Sequence, residues 1–231
     1  MNIPQKIEAL LDLEQPRVAI AFLDEVPEQL PTFGGTSPSA CHFWVKAQTS
    51  SFYASREQHA NCPIGMLTMG YALSDSESSE ADIVMKTMCD LQYFGSEEAI
   101  SLPRRSHASP YIAYGPAATS PITADLDVGV GQAWQMMIVM EAVDGMTCAG
   151  APMALMGRPA CAALPTALAQ RRTVISLACV GARTYTGIDK TEGFFVIPSD
   201  AAQAYAERMV EVAAANEALR VYHQHRLLVL G

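Results

Sequence analysis

Apolar and polar positions repeat along this chain with the periods of helices and of strands. Residues 1–14 place Ile7 and Leu11 on one side and Lys6 on the other, which predicts an amphipathic helix ended by Pro16. Residues 17–23 form an apolar run, typical of a strand buried inside a sheet. The chain therefore begins with a helix that leads into a central strand.

The same reading predicts alternating strands and helices over the rest of the chain. Further strands are predicted at 51–54, 111–114, 124–130, 173–178 and 193–198. Helices are predicted to begin at 40 and to cover 63–73, 81–94, 132–143, 162–170 and 201–219. A strand, a glycine turn and a helix in succession are typical of α/β layers. We expect an α/β (α+β) protein with a mixed sheet and flanking helices.

Cysteine positions indicate an internal repeat. An alanine–cysteine pair occurs at Cys41 and again at Cys161, and an alanine follows six residues later in both cases. A second cysteine, Cys62 or Cys179, follows after twenty-one residues in the first case and eighteen in the second. We interpret this as one domain built of two similar halves that bring four thiols together. The predicted halves are roughly 1–105 and 106–231.

Composition limits the function classes. Half of the 231 residues are hydrophobic, enough for a substantial buried core. No apolar run reaches the length of a membrane span, and the N-terminus lacks a signal-peptide pattern, so we expect a cytoplasmic protein. The net charge is −9 and no large basic cluster occurs, which argues against a nucleic-acid-binding surface.

Four of the six cysteines are candidate ligands. Cys89 and Cys148 are expected to be ordinary packing residues, and a disulfide framework is not expected in a reducing compartment. Tetrahedral zinc and a 4Fe–4S cluster both take four thiolates, and Cys62-Pro63 is similar to a step common at cluster ligands. Close Cys-x-x-Cys pairs are absent, which favours a cofactor held between the halves. The candidate ligands are Cys41, Cys62, Cys161 and Cys179.

Neighbouring polar residues are candidates for a supporting role. Ser39 is a predicted helix cap, so Cys41 falls in a first helical turn, where we expect its thiol pKa to be lowered. His42 and His59 lie close to thiols in sequence and are candidates to tune them or to complete a metal site. Further candidates for this supporting role are Arg183 and Glu192.

Other interpretations stay open at this point. The thiols are also compatible with plain packing, or with a redox or nucleophilic enzyme that uses no metal, so whether the protein is an enzyme is undecided. Methionines near Cys148 are compatible with a haem or other soft-ligand pocket, although flexible core packing is the more ordinary explanation. These methionines are Met146, Met153 and Met156.

Several motifs together resemble one known family. They are Cys41-x-Phe-Trp with Phe52-Tyr53, His59-x-x-Cys62-Pro-Ile-Gly65, Gly157-Arg-Pro-x-Cys161-x-Ala-Leu-Pro, Cys179-x-Gly-x-Arg183-x-Tyr185, Glu192 and Ile197-Pro198. From about Pro16 to Glu211 the chain resembles the prokaryotic domain of unknown function 169. The resemblance places the four candidate cysteines among the family's typical positions. It implies no reaction.

Together these observations predict a cytoplasmic, cofactor-binding redox protein. The expected cofactor is an iron–sulfur cluster (4Fe–4S) or a thiophilic metal held by the four thiols, with haem as the alternative. The expected partner is a redox protein, with no nucleic acid and no membrane, and the sequence leaves homo-oligomerisation open.

Overall fold

The structure is a computed structural model that describes residues 2–92, 102–144, 155–156 and 159–230, with the backbone alone at 143–144 and 155–156. Its strands are β1 (Val18–Leu23), β2 (Phe52–Ser55), β3 (Tyr111–Pro116), β4 (Leu126–Gln132), β5 (Leu155–Met156), β6 (Val174–Ser176) and β7 (Glu192–Pro198). Its α-helices are α1 (Ile3–Leu11), α2 (Ala40–Lys46), α3 (Arg56–His59), α4 (Pro63–Thr68), α5 (Asp75–Asp90), α6 (Ala133–Asp144), α7 (Ala163–Gln170), α8 (Val180–Thr186) and α9 (Ala202–Leu230).

The described strands form one sheet in the order β2-β3-β1-β4-β7-β6-β5. The short β5 runs parallel to β6, and every other pairing is antiparallel. The sheet is therefore mixed and has helices on both faces, which confirms the predicted fold class. Strand β1 lies between β3 and β4, as its unbroken apolar run predicted.

Strand order is the same on either side of the sheet's centre. From the antiparallel pair β1·β4, one side continues to β3 and then β2, and the other continues to β7 and then β6. Each side thus has its first strand at the centre, its last strand next and the strand before the last beyond that, and β5 adds one more strand at the edge of the second side. Strand β3 lies with β1 and β2, although the proposed boundary near residue 105 assigned it to the second half. That boundary stays a prediction.

Two hydrophobic layers cover the sheet. On β7, Phe194 and Val196 face one layer with α2, α4, α7 and α8, while Phe195 and Ile197 face the other with α1, α6 and α9. This alternation follows from the two-residue period of a strand. All four of these side chains are 0% exposed, so each contributes about 1.5–3 kcal/mol of burial energy. The first layer also contains Cys41 and Cys161.

Helix starts follow the capping residues. The Ser39 hydroxyl accepts a hydrogen bond from the His42 amide at 3.2 Å, and Pro63 occupies the first turn of α4, as predicted. Helix α5 begins at Asp75 and not near residue 81, because Ser74 and Glu77 form a capping box. The sequence pattern predicted this helix only from residue 81, so its first six residues were missed.

Two C-terminal elements also differ from the prediction. Residues 180–186 form helix α8, where the sequence pattern predicted no helix. Helix α9 continues to Leu230, well past the predicted end near residue 219, so the two tail histidines are helical and exposed.

A buried ion pair joins the two central strands. Arg17, immediately before β1, is 0% exposed and donates through Nη1 to Asp127 Oδ2 on β4 at 3.1 Å. Burial raises the pKa of the Asp127 carboxyl, and the Arg17 charge opposes that rise. The pair lies on the side of the sheet away from Cys41 and Cys161.

In the part of the chain that the structure describes, no helix combines the length and the apolar character that a bilayer crossing needs. Several predictions concern residues outside the described part. These are the predicted turn at 96–100, Met146, Cys148, Met153, Gly157 and Arg158.

Candidate functional site

Four cysteines from four helix starts line one cavity, which we call the thiol pocket. Cys41 is in the first turn of α2 and Cys62 caps α4. Cys161 lies in a 3₁₀ turn that leads into α7, and Cys179 caps α8. The cavity has a volume of about 330 Å³. Its lining includes all four cysteine side chains, which are separated by up to 138 positions in the chain.

The two halves supply equivalent pairs of thiols. Cys41 and Cys161, the first cysteine of each predicted half, are both 6% exposed and line the thiol pocket. Cys62 and Cys179, the second cysteine of each half, are half-buried and each precedes a short helix. Burial and helix position therefore follow the order of the predicted repeat.

Each of the four thiols has a polar neighbour, which for Cys161 is the side chain of Thr68. The Ser39 hydroxyl lies 3.2 Å from Cys41 Sγ, and the Ala182 amide donates to Cys179 Sγ at 3.3 Å. Backbone groups of Ala40 and Gly65 lower the pKa of Cys62, although burial raises it more. Amide and hydroxyl donors of this kind stabilise sulfur when it carries negative charge.

Burial is the main influence on the pKa of three of the thiols. It raises the pKa of Cys41 to about 12, against a lowering by the Ser39 hydrogen bond. The expected lowering at the helix start was therefore wrong for Cys41, because loss of hydration outweighs the nearby donors. Burial also raises the pKa of Cys62 and, well above the usual value, that of Cys161.

The thiols also raise one another's pKa values. Cys41 is affected by Cys62 and Cys179, and Cys161 is affected by the other three cysteines. These electrostatic effects show that the sulfurs share one neighbourhood. Four thiolates together would repel strongly, so the ionised form requires a cation to balance it.

The pocket is not a ready-made site for a single ion. Among the described residues, no group of three or more His, Cys, Asp or Glu side chains has the geometry to hold one metal ion. Zinc needs sulfur at about 2.3 Å from one centre. The thiols instead line a cavity of about 330 Å³.

Gly65 allows the close packing of α4 against α2. A Cβ atom at this position would lie 2.6 Å from Ala40 Cβ and 2.9 Å from Cys62 Sγ. Any larger residue would therefore push apart two of the helices that carry cysteines. The resemblance motif ends on this glycine, and the structure gives its physical reason.

The two candidate histidines lie outside the described lining of the pocket. His59 Nδ1 is 2.7 Å from the Ser55 carbonyl oxygen, so it donates, and Nε2 accepts from the Tyr114 hydroxyl at 2.9 Å. His42 Nδ1 lies 3.0 Å from Ser37 Oγ. Neither histidine is among the groups that shift the pKa values of Cys41, Cys62 or Cys161.

Arg183 and Glu192 form hydrogen bonds that hold the loop between α8 and β7. Arg183 donates to the carbonyl oxygens of Leu177, Asp189 and Glu192, and Glu192 Oε2 accepts from the Asp189 amide at 2.8 Å. Neither residue is part of the described lining of the thiol pocket. Their contacts hold the chain after Cys179 and connect α8 to β7.

One wall of the pocket was missed by sequence reasoning. Helix α5 contributes Glu80, Val84, Met85 and Met88 to the lining. The sequence predicted an apolar face of Ile83, Val84, Met88 and Leu91, of which Val84 and Met88 line the pocket, whereas Ile83 is 67% and Leu91 75% exposed. The spacing of positions 80, 84 and 88 on one helical face was an available signal, but Glu80 broke its apolar pattern.

Comparisons with known proteins identify the family without giving a reaction. No curated protein and no solved structure matches the chain. A family match, described as uncharacterised ArCR, extends over residues 6–208 and so covers most of the chain. The protein is a member of the domain of unknown function 169 family.

Proposed function

We propose that the thiol pocket binds an iron–sulfur cluster of the 4Fe–4S type and that the protein transfers electrons through it. The observation that carries this proposal is the convergence of Cys41, Cys62, Cys161 and Cys179 on one cavity. Four cysteine thiolates are the usual ligand set of such a cluster.

The chemistry of the pocket supports a cofactor more than a metal-free thiol enzyme. A nucleophilic cysteine needs a low thiol pKa, whereas burial raises the pKa of Cys41 to about 12. Cys62 and Cys161 also have raised pKa values. Thiols of this kind stay protonated at neutral pH until a metal displaces the protons.

The chain's own groups would hold the cofactor and set its environment. The Ser39 hydroxyl and the amide of Ala182 lie within hydrogen-bond distance of two sulfurs. When bound, a cluster would supply reversible one-electron transfer. Hydrogen bonds to sulfur and exclusion of water are the main protein influences on its potential.

Anaerobic purification tests the proposal. We expect a brown protein with about four irons and four sulfides per chain. Replacement of any of Cys41, Cys62, Cys161 or Cys179 by serine should reduce iron content several-fold. The matched control is Cys89→Ser, because Cys89 lies on α5 but is not part of the described pocket lining.

The result that would overturn the proposal is equally definite. After anaerobic reconstitution with iron and sulfide, a colourless wild-type protein without bound iron would exclude it. So would unchanged iron content in all four serine variants, provided that circular dichroism shows them folded.

A second candidate is a haem or other tetrapyrrole, favoured by Met85 and Met88 in the pocket wall. Thioether sulfur is a known axial haem ligand. A Soret absorption band that disappears in a Met85→Leu, Met88→Leu variant would support haem. Broad visible absorption without that band would support the cluster.

A further inference from the structure

The C-terminal half of α9 extends beyond the body of the protein. Residues 217–230, which we call the tail, are exposed at every position. The last buried residue of the helix is Val212. Seven large apolar side chains of the tail are 53–84% exposed, namely Leu219, Val221, Tyr222, Leu227, Leu228, Val229 and Leu230. The family match ends at residue 208, before the tail begins.

A bare helix of this kind has little stability of its own. Isolated helices shorter than about 12–15 residues are marginal in water, and most helical stability in proteins comes from packing. The tail's apolar side chains are also spread around the helix, with Val221 opposite Leu230 by helical spacing. Six of the fourteen tail residues are polar or charged, but apolar side chains in this number are normally covered by packing. The tail therefore requires a covering surface.

A second exposed apolar surface, as far as the described residues go, occurs on α5. This helix has only Ala81 fully buried, and it exposes Ile83 and Val84, with the exposed Leu91 directly after its end. It also carries five acidic residues and one lysine, whereas the tail carries two arginines and one glutamate. The two surfaces are thus both apolar and opposite in charge.

Their dimensions also match. The tail has 14 residues and α5 has 16, so at 1.5 Å per residue they are about 21 and 24 Å long. The tail extends away from its own body, so α5 of another molecule is the matching surface. In a two-fold dimer, a reciprocal exchange would cover both tails and both α5 helices at once.

We propose that the protein forms a two-fold homodimer in which the tail of each copy docks along α5 of the other. Arg220 and Arg226 face acidic groups of α5, and the tail's leucines cover Ile83 and Val84. Val84 and Glu80 also line the thiol pocket, so the docked tail lies at its mouth. This proposal does not depend on which cofactor, if any, the pocket holds.

Light scattering coupled to size-exclusion chromatography tests the dimer with the full chain. We expect the wild type to have about twice the chain mass of 24.8 kDa. Arg220→Glu with Arg226→Glu should weaken dimerisation at least tenfold, by like-charge repulsion across the interface. Adding Glu80→Lys and Asp90→Lys, whose side chains flank Ile83 and Val84 on the helix, to that variant should restore the dimer, because the charges are then exchanged.

Control variants separate this contact from general effects. Lys190→Glu changes the charge of an exposed residue outside both surfaces and should leave the dimer intact. Leu227→Ser with Leu228→Ser should give monomers. Their near-UV circular dichroism, which reports on the packed aromatic side chains of the body, should be unchanged. Val26→Ser, at an exposed apolar position in the loop after β1, is the matched apolar control.

Several results would overturn the proposal. A monomeric wild type, or a dimer unaffected by the tail variants, would exclude the tail as the interface. Failure of the exchanged charges to restore the dimer would exclude α5 as its docking site. Co-sedimentation of a monomer with anionic phosphatidylserine vesicles, lost on Arg220→Glu with Arg226→Glu, would assign the tail to a membrane surface instead.

Discussion

At the scale of single residues, His59 shows how a side chain close to a thiol in sequence can serve the core. Both of its ring nitrogens are engaged, by the Ser55 carbonyl and the Tyr114 hydroxyl, and its ring lies 4.6 Å from that of Phe43. The Tyr114 contact is 55 residues away in sequence, so no local pattern could reveal it. The cysteines were easier to identify, because their repeated spacing is visible in the chain.

Burial of His59 makes the fold sensitive to acid. Loss of hydration lowers its pKa to about 4, from roughly 6.5 in the unfolded chain. The folded state therefore favours neutral His59, and this contribution is complete above pH 6.5 and is lost as the pH falls towards 4. We expect roughly 3 kcal/mol of unfolding free energy to disappear across that range.

Urea unfolding at pH 7.5, 6 and 5 measures this effect. The His59→Gln variant should be less stable at pH 7.5 but should lose less stability on acidification. His223→Gln, at an exposed position of α9, should retain the wild-type slope. An identical slope in His59→Gln would contradict the assignment.

At the scale of elements, helix starts decide where the thiols lie. The start of α2 was predictable because serine is a common cap, and proline marks the first turn of α4. The start of α8 was missed because cysteine is an unusual cap, and Gly181 suggested a turn. In α5 the capping signal was present at Ser74 and Glu77, but the polar first turns concealed the helix.

The capping box of α5 can be tested directly. Ser74→Ala removes the acceptor for the Glu77 amide and should cost about 1 kcal/mol of local helix stability. Because α5 forms a wall of the thiol pocket, the change should appear as faster hydrogen exchange of its first-turn amides. Ser79→Ala, inside the same helix, is the control, and equal exchange in both variants would argue against a capping role.

At the scale of the whole molecule, the fold class could be predicted but the strand order could not. Alternating strands and helices already indicated a mixed sheet with helices around it. The central pairing of β1 with β4 depends on long-range contacts, among them the buried pair of Arg17 and Asp127. The sequence around Arg17 does not indicate that its partner is Asp127, 110 positions later in the chain.

This ion pair should be important for the joining of the two halves. Asp127→Ala leaves the Arg17 charge buried without a partner and should cost about 3–5 kcal/mol of unfolding free energy. Replacing both residues by apolar ones, Arg17→Met with Asp127→Leu, should recover most of that loss. Chemical denaturation of the three proteins measures the difference, and a double variant less stable than Asp127→Ala would refute this explanation.

The antiparallel pairing at the centre of the sheet has a consequence for the protein's ancestry. Val18, Ala19 and Ile20 pair with Val128, Asp127 and Leu126, which is the arrangement that two copies of one shorter chain would form across a rotation axis. Each such copy would bring only two sulfurs, and association alone would complete the set of four. Fusion of the copies into one gene would then free each half to diverge, and α5 is one element that such divergence could have added.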